Sequence, residues 1–331
     1  MPSPERVFDV LNAYQRTAAL KAAIDLDLFT PIGEGADTAP AIAARCKASE
    51  RGVRILCDYL SIGGLLQKSG DRYQLAPDAA VFLSKKSPAY LGSIVGFLGA
   101  PDLVRNFDHL AETIRTGSVP QQANTVATEQ QELWVEFARA MAPMMAPAAN
   151  AIGEILQVAS AGPVKILDIA AGHGIFGLTL AQRNPQAEVV AVDWPGVLAV
   201  ASENAKKMGV ENRFRKLEGD AFAVDYGSGY DIALMTNFLH HFDVPTCTTL
   251  LRKVAAAMKP GGRLAILEFV PNDDRISPPP AAGFALTMLA GTPAGDAYTL
   301  AQLRRMSEDA GFKNVAVHPM PTPQNLVTAT R

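Results

Sequence analysis

The chain has 331 residues, which is enough for two domains of about 100–200 residues each. It is 48% hydrophobic, and its net charge of -3 argues against a global basic field that would attract nucleic acid or an anionic membrane. Cys46, Cys57 and Cys247 are too widely spaced for a disulfide framework, and no run approaches the roughly 20 apolar residues that span a bilayer. Because the N-terminus also lacks a signal-peptide pattern, we expect a soluble cytoplasmic protein.

The first hundred residues are predicted to be mainly helical. Apolar residues recur at helical spacing over 7–24 and 50–63, and Thr38 with Pro40 indicates a capped helix start between them. Residues 65–75 predict two short strands around a Ser-Gly-Asp turn. This order is typical of a winged-helix module, and we place the first domain at 1–98.

A second stretch, 99–160, is also predicted to be mostly helical. Its Met- and Pro-containing segment 138–147 is interpreted as part of a linker between domains that contributes to a substrate pocket.

Strands and helices alternate from residue 161 to the end of the chain, which predicts an α/β domain with a mostly parallel sheet. The last two strands, 314–318 and 326–329, are separated by only a Pro-rich turn. They are therefore predicted to form an antiparallel hairpin at one sheet edge. The other predicted strands cover 164–169, 188–192, 213–217, 232–235 and 263–269.

A glycine-rich turn follows the first of these strands. The strand ends at Asp168, and Gly172 and Gly174 come before a helix, in the position where open α/β sheets bind ligands. With Gly177 the turn also matches the dinucleotide pattern G-x-G-x-x-G, so this motif alone leaves a nicotinamide cofactor open.

Two further acids narrow the ligand. Asp193 closes the second strand, where a carboxylate can accept from ribose hydroxyls, and Asp220 closes the third. An isolated Asp is as often a turn former, but acids at three successive strand ends suit a nucleoside carrying an amino-acid group. They suit a pyrophosphate poorly because its charge would be repelled.

The segment 168–174, Asp-Ile-Ala-Ala-Gly-His-Gly, resembles motif I of the class I S-adenosylmethionine-dependent methyltransferases, with Ala170 at the first Gly position. Residues 258–264 resemble the loop before that family's fifth strand. The resemblance implies a Rossmann-like seven-stranded sheet over 161–331, with S-adenosylmethionine as cofactor. It also implies cofactor-binding roles for Asp168 at the methionine part, Gly172 as a close-packed turn, Asp193 at the ribose, Asp220 with Ala221 at the adenine, and for Gly174 and Thr236.

The likeness narrows to the O-methyltransferases of the plant caffeate and bacterial polyketide type. Residues 238–247, Phe-Leu-His-His-Phe-Asp-Val-Pro-Thr-Cys, resemble that family's Leu-His-Asp-Trp-x-Asp-x-x-Cys signature. The winged-helix-like region matches the position of its dimerisation domain. The resemblance implies a homodimer through the N-terminal domain, a small aromatic acceptor, and no nucleic-acid, membrane or metal partner.

By the same resemblance His240 is the general base and Glu268 the carboxylate that orients it. His241 stands where many members have Asp, and Ala297 stands where a second acid is expected, with Asp296 as a candidate substitute. We place His241 and Asp296, together with Phe137 and Met141, in the substrate pocket. Phe284 and its apolar neighbours fit either pocket or core.

Three alternatives remain at this stage. The acceptor atom can be nitrogen or carbon, because the sequence carries no fingerprint for it. A dehydrogenase is the second alternative, from the glycine pattern. The third is a DNA-binding regulator, but Arg51, Arg54, Lys68 and Arg72 are few for phosphate binding.

Overall fold

A computed structural model describes residues 2–120, 124–125 and 131–331. These residues divide into two compact units, Met1–Ala100 and Pro101–Arg331. Across the described ranges, no helix is both long enough and apolar enough to cross a membrane.

The first unit is a helical module with a small hairpin. Its core includes Leu28, Ile42, Cys57 and Tyr73, all 0–2% exposed. Its elements are α1 Glu5–Leu11, α2 Ala13–Asp25, α3 Phe29–Gly33, α4 Ala39–Cys46, α5 Glu50–Ile62, β1 Leu66–Ser69, β2 Arg72–Leu75, α6 Pro77–Phe82 and α7 Val95–Leu98.

Two local predictions in this unit need correction. The helix expected over 7–24 is interrupted at Asn12, so α1 and α2 are separate helices. Thr38 does precede α4, but its side chain makes no capping hydrogen bond, and its backbone instead bridges to Arg72 of the hairpin. By contrast, the Ser49 side chain caps α5 by accepting from the Gly52 N–H.

The second unit is built on a large sheet. Its elements are α8 Pro101–Arg105, α9 Leu110–Thr116, α10 Gln131–Ile155, β3 Val164–Ile169, α11 Ile175–Arg183, β4 Ala187–Asp193, α12 Pro195–Lys207, β5 Phe214–Glu218, β6 Tyr230–Thr236, α13 Val244–Ala257, β7 Met258–Glu268, α14 Pro279–Gly291, α15 Leu300–Asp309, β8 Lys313–Pro319 and β9 Asn325–Thr330.

Within the described residues, these seven strands form one sheet in the order β5-β4-β3-β6-β7-β9-β8. Strands β3 to β7 pair in parallel, whereas β9 pairs antiparallel with both β7 and β8. The predicted α/β class and C-terminal antiparallel hairpin are confirmed. Because parallel neighbours end at the same edge, Asp168, Asp193 and Thr236 come together at the carboxyl ends of β3, β4 and β6.

Two helices matter for the site. Helix α10 carries Pro143 and Pro147 in its interior and packs on α11 and α12, so the Met- and Pro-containing segment belongs to the second unit. The separate linker over 99–160 stays a prediction. Helix α14 was not predicted, because its thirteen residues are apolar on nearly all sides and show no helical periodicity.

Candidate active site

The turn between β3 and α11 is organised around Asp168. This side chain is fully buried, and its Oδ2 accepts a hydrogen bond from the Gly177 N–H at 3.0 Å. A Cβ at Gly177 would lie 2.7 Å from the same oxygen, so this position in the first turn of α11 requires glycine. Burial raises the pKa of Asp168 to about 8. Its Oδ1 has no hydrogen-bond partner within the described part of the chain.

The remaining turn residues adopt left-handed backbone. Gly172 and Gly174 have φ of +58° and +74°, and Ala170 has φ of +52°. Among the described residues, a Cβ at Gly172 would have only the Ala170 carbonyl oxygen, at 4.0 Å, near it, whereas one at Gly174 would lie 3.0 Å from the Ala201 Cβ. Gly172 is therefore where the backbone is open to a ligand. The role of Gly172 as the close-packed glycine stays a prediction.

Asp193 ties the turn to the next strand. Its Oδ2 accepts from the Gly172 N–H at 2.8 Å and its Oδ1 from the Trp194 N–H at 2.7 Å. Partial burial raises the pKa of Asp193 to about 6, against the effect of these two donors.

A cavity of about 210 Å³ opens at these strand ends. Four of the predicted cofactor residues line it: Gly172, Asp193, Asp220 and Ala221. Among the described residues, the cavity lining does not include the other three, Asp168, Gly174 and Thr236. Its other lining residues are Trp134, Phe137, Ala170, Val192, Trp194, Val197, Gly219, Phe222, Phe238, His241 and Phe242.

The cavity fits S-adenosylmethionine. The open face of Gly172 admits a ligand to the backbone, and the carboxylates of Asp193 and Asp220 supply acceptors for hydroxyl and amino groups. Aromatic side chains cover the remaining wall, which suits a purine ring. Lys253 holds the loop that carries Asp220 by donating to the carbonyl oxygens of Ala221 and Phe222 at 3.0 and 2.8 Å.

His240 and Glu268 form a buried pair. Glu268 closes β7, and His240 lies in the 3-10 turn Leu239–His241 that follows β6. The Nδ1–H of His240 donates to Oε2 of Glu268 at 2.6 Å. Oε1 accepts from the backbone N–H groups of Phe238 and His240 at 3.0 and 3.3 Å. Because both carboxylate oxygens accept, the proton of the neutral His240 ring resides on Nδ1, and Nε2 then keeps its lone pair.

His241 faces a different way from His240. The two ring centroids are 4.3 Å apart with an interplanar angle of 58°, and His241 borders the cavity. His240 instead packs edge-on against Phe284, with ring centroids 4.8 Å apart. Burial, with a smaller contribution from His240, holds the pKa of His241 well below its usual value, so this ring is neutral at neutral pH.

Asp296 reaches His240 through its backbone and not through its carboxylate. Its N–H donates to the His240 carbonyl oxygen at 3.0 Å, whereas its carboxylate accepts from Arg275 at 3.1 Å and from the Ala297 N–H at 2.8 Å. Ala297 is buried. Glu268 is thus the carboxylate that the described structure places on the His240 ring.

The aromatic wall was largely missed at the sequence level. Phe137 lines the cavity as predicted in the pocket, but Met141, one turn later in α10, is buried without bordering the cavity in the described structure. Trp134 and Trp194 were not singled out, although tryptophan occurs only at these two positions of the chain. His173, inside the glycine turn, is buried and stacks on Phe137 at 6.5 Å, and burial lowers its pKa to about 4.

A sheet of this order, with a nucleoside-binding cavity at the carboxyl ends of its parallel strands, is the framework of S-adenosylmethionine-dependent methyltransferases, and the chain is an enzyme of this class. Residues 116–313 match the family model of the O-methyltransferase domain, and residues 8–85 match the O-methyltransferase dimerisation domain. The chain therefore belongs to the O-methyltransferase family.

Two named relatives agree with this assignment. The chain is 28% identical to a 3-hydroxy-5-methyl-1-naphthoate 3-O-methyltransferase of Streptomyces sahachiroi, covering 94% of the chain and 90% of that protein. It is 26% identical to the tetracenomycin polyketide synthesis 8-O-methyl transferase of Streptomyces glaucescens, over 98% and 95%. A solved structure from Nostoc punctiforme PCC 73102, assigned to the O-methyltransferases, is 45% identical over the full length of both chains, with a TM-score of 0.97.

Proposed function

We propose that this enzyme methylates a hydroxyl oxygen of a small aromatic molecule and that His240 is the general base. The hydrogen bond from His240 Nδ1 to Glu268 carries the proposal, because it leaves Nε2 of the neutral ring as a proton acceptor, next to His241, which lines the cofactor cavity. The hydroxynaphthoate and polyketide acceptors in the names of the two relatives support an aromatic substrate.

Proton removal is the task left to the protein. S-adenosylmethionine, when bound, supplies an electrophilic methyl group. A phenol has a reference pKa of about 10 and imidazole one of about 6.5, so a positioned imidazole is a suitable base near neutral pH. As His240 takes up the proton, Glu268 stabilises the imidazolium, and their burial strengthens this pairing.

The residues around the cavity would hold the cofactor. Asp193 would accept from ribose hydroxyls, and Asp220 with Ala221 would contact the adenine, since all three line the cavity. Asp168 would support the methionine part through the turn that it organises at Gly177. These assignments rest on the cavity geometry and on the family resemblance together.

Replacing His240 with Ala tests this function. We expect kcat for methyl transfer to a panel of phenols and naphthols to fall at least about 100-fold, because general base catalysis contributes roughly 10²–10⁴-fold. S-adenosylhomocysteine should still raise the melting temperature of the variant, and NADH should not. His318→Ala, a histidine on the edge strand β8, is the matched control.

Two outcomes would contradict the proposal. A His240→Ala variant with nearly full activity would remove the base assignment. O-methylation would be refuted if mass spectrometry and NMR located the methyl group of the product on nitrogen or carbon. The family match favours oxygen over those acceptor atoms, and it favours methyl transfer over the dehydrogenase and DNA-binding alternatives.

We also propose that the protein is a homodimer assembled through its first unit. The match to a dimerisation domain supports this, and so does the apolar surface of α1, where Val7, Phe8, Val10 and Leu11 are 58–70% exposed. Light scattering after size-exclusion chromatography should give a dimer for the native chain and a monomer for Phe8→Glu combined with Leu11→Glu. Arg6→Glu, on the same helix, is the control, and a dimer in all three proteins would refute this interface.

A further inference from the structure

A pair of side-chain amides bridges the two strands that flank β7. Asn237 directly follows β6 and Gln324 directly precedes β9, and these strands lie on opposite sides of β7 in the sheet. The Nε2 of Gln324 donates to the Oδ1 of Asn237 at 3.2 Å. Because neighbouring strands are about 4.8 Å apart, this hydrogen bond spans the carboxyl end of β7.

The bridge lies level with the carboxylate of Glu268. Glu268 closes β7, and its backbone pairs with Asn325, the residue that follows Gln324. On the other side of β7, the residue that follows Asn237 is Phe238, whose N–H donates to Oε1 of Glu268 at 3.0 Å. A change in the direction of the chain at Asn237 would therefore change the contacts of Glu268.

The backbone at Asn237 adopts a conformation that needs support. Its φ is +53°, in the left-handed region, which asparagine tolerates better than most residues that carry a side chain. The residue begins the turn that carries His240, so its dihedral angles set the direction in which this turn leaves the sheet. Two hydrogen bonds hold it in place: its N–H donates to the Leu267 carbonyl oxygen at 2.8 Å, and its side chain accepts from Gln324.

The amide of Gln324 is costly where it lies. The residue is 5% exposed, and its Oε1 is buried with no hydrogen-bond partner in the described part of the chain. A buried polar atom without a partner costs free energy, so an apolar side chain of the same length would serve packing better. Local violations of this kind are expected at functional sites, and the hydrogen bond to Asn237 is the contact that explains an amide at this position.

We propose that Asn237 and Gln324 are positioning residues for the His240–Glu268 pair. Their hydrogen bond fixes the turn after β6 against the C-terminal hairpin, and that turn presents the Phe238 N–H and the His240 ring to Glu268. The hairpin thereby contributes to proton removal through His240. The effect on catalysis rests on the proposed function, since it requires that His240 is the base.

Asn237→Gly and Gln324→Met test the proposal, alone and combined. Glycine keeps the left-handed backbone and methionine keeps the length of the side chain, so each variant removes the hydrogen bond with little other change. Each should lower kcat for methyl transfer to phenols and naphthols about tenfold, because a displaced base is less well aligned. The double variant should also lose about tenfold and not about 100-fold, since both changes remove the same contact. The Kd for S-adenosylhomocysteine should change less than about threefold.

A proton NMR measurement separates positioning from a general loss of stability. The Nδ1 proton of His240, hydrogen-bonded to Glu268 at 2.6 Å, should give a far-downfield resonance that is absent from His240→Ala. In both single variants we expect it to move upfield or to broaden. Asn314→Gly is the matched control, because Asn314 also has a left-handed φ, +55°, and donates from its side chain to the Thr330 Oγ1 at 2.9 Å. Asn314 lies on the edge strand β8, and its variant should keep the native resonance and the native kcat.

The outcomes separate this proposal from the proposed function. With an inactive His240→Ala variant, a native kcat or a native resonance in both single variants would overturn the positioning role, and so would losses that add to about 100-fold in the double variant. If the resonance changes in both variants but His240→Ala stays active, or no phenol or naphthol is methylated, the proposed function fails and the positioning of His240 against Glu268 stands. If one single variant does not fold, the resonance and kcat of the other decide.

Discussion

Replacing Glu268 with Gln should inactivate the base by changing the tautomer of His240. The amide has the shape of the carboxylate, but only one of its two terminal atoms can accept. The backbone N–H groups of Phe238 and His240 both point at the Oε1 position, 3.0 and 3.3 Å away, and so require the amide oxygen there. The amide NH₂ then faces Nδ1 of His240, which must become an acceptor. The ring proton moves to Nε2, the atom that should receive the substrate proton.

The size of the effect follows from these contacts. A wrong histidine tautomer in a catalytic pair lowers kcat by up to about 10⁴-fold, so we expect a loss of roughly 10²–10⁴-fold for Glu268→Gln. Loss of the charge-assisted hydrogen bond at 2.6 Å should also lower the free energy of unfolding by about 1.5–3 kcal/mol. The cofactor residues are untouched, so the Kd for S-adenosylhomocysteine should change less than about threefold, which is under 1 kcal/mol.

The assay is methyl transfer at saturating cofactor, together with calorimetric titration of S-adenosylhomocysteine. Glu203→Gln is the matched control, because Glu203 lies on the exposed face of α12 and its carboxylate accepts from Arg139 of α10. A Glu268→Gln variant that binds S-adenosylhomocysteine normally and keeps kcat within tenfold of the native enzyme would refute the tautomer argument.

Three further predictions concern the glycine turn. Gly172→Ala should weaken S-adenosylhomocysteine binding about tenfold in a calorimetric titration, because the new Cβ enters the cavity. Gly209→Ala is the control, since Gly209 has a similarly positive φ in open surroundings and its replacement should leave the affinity unchanged. Equal effects of the two substitutions would exclude a ligand contact at Gly172. Ala170→Gly should raise the free energy of unfolding by about 0.5–1 kcal/mol in urea denaturation, since relief of left-handed strain exceeds the added entropy of the unfolded chain, and a destabilised variant would contradict this. Burial raises the pKa of Asp168 to about 8, so the native protein should lose stability between about pH 4 and 8 by up to roughly 1.4 kcal/mol per pH unit relative to Asp168→Asn. Denaturation curves at pH 5 and pH 8 with the same stability difference between the two proteins would disprove that shift.

Much of the fold was predictable because its signals are local. Buried parallel strands such as Tyr230–Thr236 contain continuous apolar runs, and α12 and α13 have proline in their first turn. The glycine turn and the acids at successive strand ends could be located because a parallel sheet brings its carboxyl ends to one edge. Helix α14 had no such signal, since its sides do not differ in polarity.

Side-chain direction was not predictable in the same way. Asp296 was a reasonable candidate partner for His240 by position, yet its carboxylate contacts Arg275, which lies 21 residues away in the chain. Trp134 reaches the cavity because the long helix α10 packs across α11 and α12, and no sequence pattern near Trp134 predicts that packing. Ala170 occupies a left-handed position that its residue type does not favour.

The sequence by itself determined the class of fold and, through its resemblance to a known family, the cofactor and the candidate pair His240 and Glu268. It could do so because the motifs that carry the resemblance depend on residue type and spacing at the ends of strands. Only the tertiary structure decided what those residues meet. In the folded chain both Glu268 oxygens accept from N–H donors, and the Asp296 carboxylate contacts Arg275 and not His240. Within the described residues, Nδ1 of His241 has no hydrogen-bond partner. The physical reason is that hydrogen bonds and packing act between atoms that are distant in the chain, and their directions are set only when the elements pack together.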